Sequence, residues 1–239
     1  MDWSAILLSL RLAAATTALL LVLATPLALW LTDDRVAGEG RVTARFVKAG
    51  SYARACVKAL VALPLVLPPT VLGFYILVEL GPTTWPGRLI ARLLGHSLAF
   101  SFSGLVLASV LYSLPFAVQP LVMALEAVPR DIVEVARVLG ASRWQAARRI
   151  RLPLARAGFV TAAVLTFAHT VGEFGVVLMV GGDIPGATRT ASLAIFDYVQ
   201  EANYGAANAL SLLLISLSFA ALLLVYAQRP RDGAGRQLV

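Results

Sequence analysis

Val128-Pro129-Arg130-Asp131-Ile132-Val133-Glu134-Val135-Ala136-Arg137-Val138-Leu139-Gly140-Ala141-Ser142-Arg143-Trp144-Gln145-Ala146-Ala147-Arg148-Arg149-Ile150-Arg151-Leu152-Pro153 reads as helix, turn, helix. Pro129 suits a first helical position, where its missing N–H is no loss. Asp131 sits at the positive end of the helix dipole. Ile132, Val135, Ala136 and Leu139 recur at helical spacing on one face. Gly140 fits the left-handed position just past a helix end. Ser142 followed by Gln145 has the form of a capping box for a second helix, and Pro153 limits that helix. The product is two short amphipathic helices with a basic outer surface. Such a pair could lie on anionic lipid or dock into a groove on a partner protein.

On either side of this loop the chain turns apolar. Of 239 residues, 59% are hydrophobic and only 14% charged, and mean hydropathy is +0.81. A soluble domain carries about a quarter charged residues, so an ordinary soluble enzyme is excluded. Disorder needs low hydrophobicity, and a single cysteine, Cys56, leaves no disulfide framework. Five runs, roughly 4–31, 59–80, 99–122, 158–181 and 206–227, approach the ~20 apolar residues of a spanning helix. The first is longer than a signal-peptide core and lacks a basic leader, so it is expected to stay on the chain. Pro64, Pro68 and Pro69 interrupt the second run, and Pro115 and Pro120 the third; membrane helices tolerate such breaks when neighbours satisfy the freed carbonyls. The expectation is an all-α polytopic membrane protein with a single transmembrane domain over 1–239.

The basic residues fix an orientation. Sixteen of the twenty fall in 32–58, in 123–157 and after Ala227, and the remaining four are Arg11, Arg88, Arg92 and Arg189. That alternation between successive loops predicts the N-terminus outside, the C-terminus in the cytoplasm and the 123–157 loop on the cytoplasmic side. It also accounts for the excess of 20 basic over 13 acidic residues without nucleic acid.

The fourth run is the polar one. Thr166, His169, Thr170 and Glu173 fall at i, i+3, i+4 and i+7 and predict one polar stripe, with Ala168, Gly172 and Gly175 as a small-residue stripe beside it. An ionisable residue at membrane depth is a functional candidate, although Glu173 and His169 could equally serve as hydrogen bonds between helices. A shared metal ion is a further alternative, but zinc wants three or four ligands, and the only other histidine, His96, lies near an outer loop.

Glu134-Val-Ala-x-x-x-Gly140, then nine residues, then Ile150-x-Leu152-Pro153, resembles the cytoplasmic coupling motif of ABC importer permeases, with Val135 in place of the usual middle alanine. Leu63-Pro-Leu-Val-Leu-Pro-Pro-Thr-Val-Leu-Gly73, His169-Thr-Val-Gly-Glu-Phe-Gly175, Gly181-Gly-Asp-Ile-Pro-Gly-Ala-Thr-Arg-Thr190 and Ala194-Ile-Phe-Asp197 are similar to the permease subunit of molybdate ABC transporters. Asp183 departs from that pattern, where asparagine is usual, and the 32–58 loop is longer than typical. The resemblance covers nearly the whole chain.

The resemblance implies a type I ABC importer permease fold in a prokaryotic cytoplasmic membrane. It implies that Glu134, Ala136, Gly140, Ile150, Leu152 and Pro153 engage a separate ABC ATPase subunit. It further implies a homodimer of this chain, an extracytoplasmic molybdate-binding protein, and no cofactor in the chain itself, since ATP is bound by the partner. The chain has no Gly-x-x-x-x-Gly-Lys-Ser/Thr run with which to bind ATP. Sulfate and thiosulfate permeases share the coupling motif and a Gly-Glu-aromatic-Gly run, and they form the main alternative; a membrane enzyme using His169 and Glu173 is a remoter one. Thr166, His169, Thr170, Gly172 and Glu173 are the pathway or gate candidates. No basic residue lies at a span centre, so a weakly binding path lined by hydroxyls and backbone N–H groups is expected.

Overall fold

Asp2 starts the first span: its carboxylate accepts the Ala5 N–H at 3.1 Å and caps α1, Trp3–Leu31. In the computed structural model, which describes residues 2–33 and 44–227, no strand occurs among the described residues. Helix α1 has 29 residues, about 43 Å at 1.5 Å per residue, enough to cross a bilayer. Helices α5, Phe102–Glu126, and α12, Tyr204–Ala227, are the other full-length apolar helices.

The core forms where α1, α5 and α9, Arg156–Val171, pack together. Leu20, Ala24 and Ala28 of α1 meet Ala117, Val118 and Leu121 of α5 and Ala162 of α9. Small side chains dominate because helices in lipid gain from close contact rather than from expelling water. Gly158 is the tightest point between α5 and α9: a Cβ there would overlap Ala124 and come within 3.0 Å of the Pro120 carbonyl. Helix α12 buries only Ala207 and Leu210, leaving the rest for lipid or another chain.

Two expected spans are broken. The 59–80 run is not one helix: α2, Ala44–Ala62, and a 3₁₀ turn at Leu63–Leu65 meet α3, Pro69–Leu80, at a bend of 108°. Pro68 and Pro69 supply no N–H to continue the ladder. Helix α3, with 12 residues, is too short to cross alone. Much of the expected 32–58 loop is therefore helix, from Ala44 onward, while Arg35, Arg41, Arg229, Arg231 and Arg236 lie outside the described residues.

The 158–181 run is likewise two pieces. Helix α9 ends at Val171, residues 172–174 break it, and α10, Gly175–Gly181, follows. The break is held by packing on α3, where a Cβ on Gly73 would come within 2.8 Å of Met179 and one on Gly175 within 2.8 Å of Pro69. Among the shorter helices, α4, Trp85–Leu94, packs on α3, and α11, Ala191–Gln200, packs on α1 and α12, while α6, Arg130–Val138, with α7, Arg143–Ala146, and α8, Leu152–Leu154, lies near the C-terminal ends of α1 and α5.

Candidate functional site

The loop between α5 and α9 is built as its capping residues dictate. Pro129, with φ −58° and ψ 126°, is the cap preceding α6 rather than its first helical residue. The helix ends in a Schellman turn, with Gly140 N–H donating to Arg137 O and Ala141 N–H to Ala136 O, each at 3.0 Å. Gly140 has φ +91° and open space where a Cβ would point. The capping box is complete: Gln145 N–H donates to Ser142 Oγ at 3.2 Å, and Ser142 N–H to Gln145 Oε1 at 2.8 Å.

Past Ala146 the helix widens into a π turn over Ala147–Arg151, where Leu152 N–H reaches Ala147 O. Pro153 therefore lies inside this segment rather than stopping it, and the chain bends by 67° one step later, at Ala155, to enter α9. Of the motif residues, Leu152 packs on the core between α1, α5 and α9, and Ile150 is half-buried. Glu134, Gly140 and Pro153 are exposed, and Ala136 is half-buried. Val133 is the α6 side chain that packs inward. Val135, Val138 and Leu139 are 59%, 87% and 81% exposed, an apolar face with nothing on it.

The polar stripe expected in the fourth span does not exist as one face. Thr166 and Thr170 are buried, Thr170 against α5, His169 is half-exposed, and Gly172 is exposed, a Cβ there meeting only the Ala168 and His169 carbonyls at 3.8 Å. Glu173 lies in the break, only 3% exposed, beside Ser109, with no hydrogen bond to either carboxyl oxygen. A helical wheel fails here because α9 has ended before Glu173. Of the small-residue stripe, Gly175 does pack closely, against Pro69, while Gly172 is exposed; the other close approach is at Gly158, outside the stripe.

What the fold does join is Ser113, His169 and Thr170. Ser113 Oγ lies 2.9 Å from His169 Nδ1 and 3.0 Å from Thr170 Oγ1, and Thr170 Oγ1 donates to Thr166 O at 2.9 Å. The imidazole stacks on Phe116 at 4.0 Å and touches Tyr112 at 4.9 Å between ring centres. Tyr112, Phe116 and Gln119 follow one another along that face of α5, and Gln119 is exposed. An amide exposed in mid-span has no partner in lipid, so this face is covered by water or another polar surface. Sequence reading missed Gln119, although it is the only amide in the 102–126 run. Among the described residues no three His, Cys, Asp or Glu side chains converge as a metal site would require.

At the N-terminal end of α1, Arg189 gathers three carboxylates: Asp197 at 2.8 Å, Asp2 at 3.7 Å and Asp183 at 4.0 Å. The loop behind it is knitted by Thr188, whose hydroxyl donates to Gly181 O at 2.7 Å and accepts Ile184 N–H at 2.9 Å. Burial and the neighbouring Asp197 push the Asp183 carboxyl up to about 6, against the pull of Arg189.

Residues 39–232 match the family described as binding-protein-dependent transport system inner membrane component. The chain belongs to that family. Over 228 residues, 95% of this chain and 94% of the relative, it is 49% identical to the molybdenum transport system permease protein ModB of Azotobacter vinelandii. It is 34% identical over 242 residues to the ModB of Escherichia coli K12, covering 98% and 97% of the two chains. In fold it is similar to a chain of the inward-facing MetNI methionine ABC transporter, with a TM-score of 0.68 and 21% identity over 93% of this chain and 94% of that one.

The architecture of this inner membrane component is thus that of type I ABC importer permeases. Within it the Schellman turn at Gly140 and the capping box at Ser142 shape the loop, and Leu152 anchors it. The pathway candidates separate into two groups: His169 and Gly172 reach the surface, whereas Thr166, Thr170 and Glu173 are internal to the bundle.

Proposed function

We propose that this permease subunit carries molybdate, with tungstate competing, into the cytoplasm in an importer powered by separate ABC ATPase subunits. The near-full-length 49% identity to a molybdenum permease carries the reading. The unoccupied apolar face of α6 suits a groove on an ATPase, where helix-in-groove docking would bury Val135, Val138 and Leu139. A second copy of the chain would enclose the face bearing Tyr112, Gln119, His169 and Gly172, making a path without fixed cations that holds an oxyanion weakly enough to release it. Selection then falls to an extracytoplasmic binding protein. The distribution of arginine and lysine supports an orientation with the N-terminus outside and the α5–α9 loop in the cytoplasm.

Uptake of radiolabelled molybdate and sulfate into vesicles holding the whole assembly tests this. Molybdate should be carried in preference, and only with ATPase present. Preference for sulfate would overturn the substrate, and transport without the ATPase would overturn the class. Orientation is read from Cys56, which is exposed on α2. A membrane-impermeant thiol reagent should label it in inside-out vesicles and leave it unlabelled in intact spheroplasts.

A further inference from the structure

Helix α4 is seated firmly on one side and bare on the other. The Thr84 hydroxyl caps it by accepting the Gly87 N–H, and Gly95, at φ +77°, ends it with its N–H donating to Ala91 O at 2.9 Å. Gly87 is pressed onto the turn that follows α3, where a Cβ would overlap the Gly81 carbonyl, and Ile90 packs on the cluster that holds Ile76, Leu80 and Leu98. The opposite side carries two exposed rows. Trp85, Leu89 and Leu93 follow one another at i, i+4 and i+8, and Arg88 and Arg92 run beside them. Among the described residues neither arginine pairs with a carboxylate, and Arg88 donates to Thr83 O at 3.0 Å. Arg189, by contrast, is held by Asp2, Asp183 and Asp197.

An apolar row beside a cationic one is the pattern of a helix lying in the boundary of a bilayer, with tryptophan at headgroup depth and arginine on phosphate. Water would suit only the arginines, and an apolar protein surface only the Trp85–Leu89–Leu93 row. The position in the chain fits as well. Helix α3 ends four residues before α4 and α5 begins seven residues after it, so α4 stands level with the ends of two membrane segments. We propose that α4 lies in the headgroup layer, with Trp85, Leu89 and Leu93 against the acyl chains and Arg88 and Arg92 on the phosphate of an anionic phospholipid. That this is the outer leaflet rests on the orientation proposed above. Labelling of Cys56 reads that orientation separately, so the two fail independently.

The test attaches a bimane dye to α4 through Leu93→Cys in a Cys56→Ser background, within the complete assembly reconstituted in vesicles. The vesicles carry brominated phosphatidylglycerol or brominated phosphatidylcholine at the same mole fraction, and iodide is the quencher in water. Brominated lipid should quench the dye more strongly than iodide. With both arginines in place, phosphatidylglycerol should quench about threefold more than phosphatidylcholine, and Arg88→Gln with Arg92→Gln should bring the two lipids within about 1.5-fold of each other. Stronger quenching by iodide means that the row faces water, and weak quenching by all three means that a second copy or another protein covers it; either result overturns the inference. Equal quenching by the two lipids while both arginines are present removes the phosphate contact and overturns it as well. Leu89→Cys provides the same reading where Leu93→Cys does not assemble.

Discussion

Arg151 Nη2 lies 2.7 Å from Thr32 Oγ1 and 3.3 Å from Thr32 O, clasping the second half of the α5–α9 loop to the end of α1. Thr32 is the C-cap of α1 and its hydroxyl also donates to Ala28 O at 2.8 Å. The guanidinium therefore sits where the helix dipole is negative and free carbonyls collect. The second half of the loop is thereby tied to the end of the first span.

Removing this clasp should cost coupling more than folding. A charged hydrogen bond of this kind contributes about 1.5–3 kcal/mol, and Leu152 keeps its place in the core. Arg151→Ala should reach the membrane with its ATPase yet carry at least about tenfold less molybdate per ATP, and Arg151→Lys should recover part of the loss. Comparing uptake with hydrolysis on the same vesicles reads this directly.

Gly140 offers a graded test of the turn. A Cβ there meets nothing within 4 Å, so the penalty of substitution is purely conformational. Asparagine tolerates the left-handed region, alanine less so, and a β-branched residue should cost about 1 kcal/mol or more. ATPase co-purification should therefore decline in the order Gly, Asn, Ala, Val. An equal loss for all three substitutions would point to a contact made by the glycine itself.

Two glycines in the α9 region should respond in opposite ways. Gly158→Ala forces a methyl into Ala124 and the Pro120 carbonyl, an overpacking that costs about 1–3 kcal/mol. It should lower the melting temperature in detergent. At the exposed Gly172 a Cβ meets only two carbonyls at ordinary contact distance, so Gly172→Leu should melt like wild type while blocking uptake. Normal uptake by Gly172→Leu would remove this residue from the path.

The ion cluster around Arg189 predicts a pH dependence. The folded Asp183 has a pKa of about 6, above the ordinary 3.8, mainly through burial and then through Asp197. A group raised on folding binds its proton more tightly in the native state, so its stabilising contribution is full below about pH 4 and is lost as pH rises through about 6. Asp2, lowered from 3.8, acts in the opposite sense and only at still more acid pH. Asp183→Asn should raise the melting temperature at neutral pH, leave it unchanged near pH 4, and flatten the profile between. Asp183 also has φ +53°, a conformation asparagine accepts readily. A melting temperature unaltered at neutral pH would mean that Arg189 fully compensates the buried charge.

The sequence carried most of the rod-like helices and the turn and capping box of the loop, because both depend on local rules, but it misplaced Pro129 by one position and took Pro153 for a stop. Apolar runs marked α1, α5 and α12, although α5 runs on through Pro115 and Pro120 instead of breaking at them, and Gly140, Ser142 and Gln145 marked the turn and cap they occupy. The break before Glu173 was not legible, since residues 158–181 hold no proline to mark it and the interruption depends on α10 seating against Pro69 and Gly73 of α3, about a hundred residues away. Helical spacing then misassigned Glu173 to the face of His169. Ser113, the partner that fixes His169, is one serine among several in α5, and only the fold singles it out.

The bare face of α6 has a consequence for how cells must make this protein. Burying a valine or leucine side chain is worth roughly 1.5–3 kcal/mol, and Val135, Val138 and Leu139 present three of them to water. An orphan copy is adhesive: it will stick to other orphans, to chaperones or to a protease unless the proper cover arrives first. Its abundance should therefore track the supply of the subunit that caps α6, so that a shortage of the cover limits the amount of channel in the membrane.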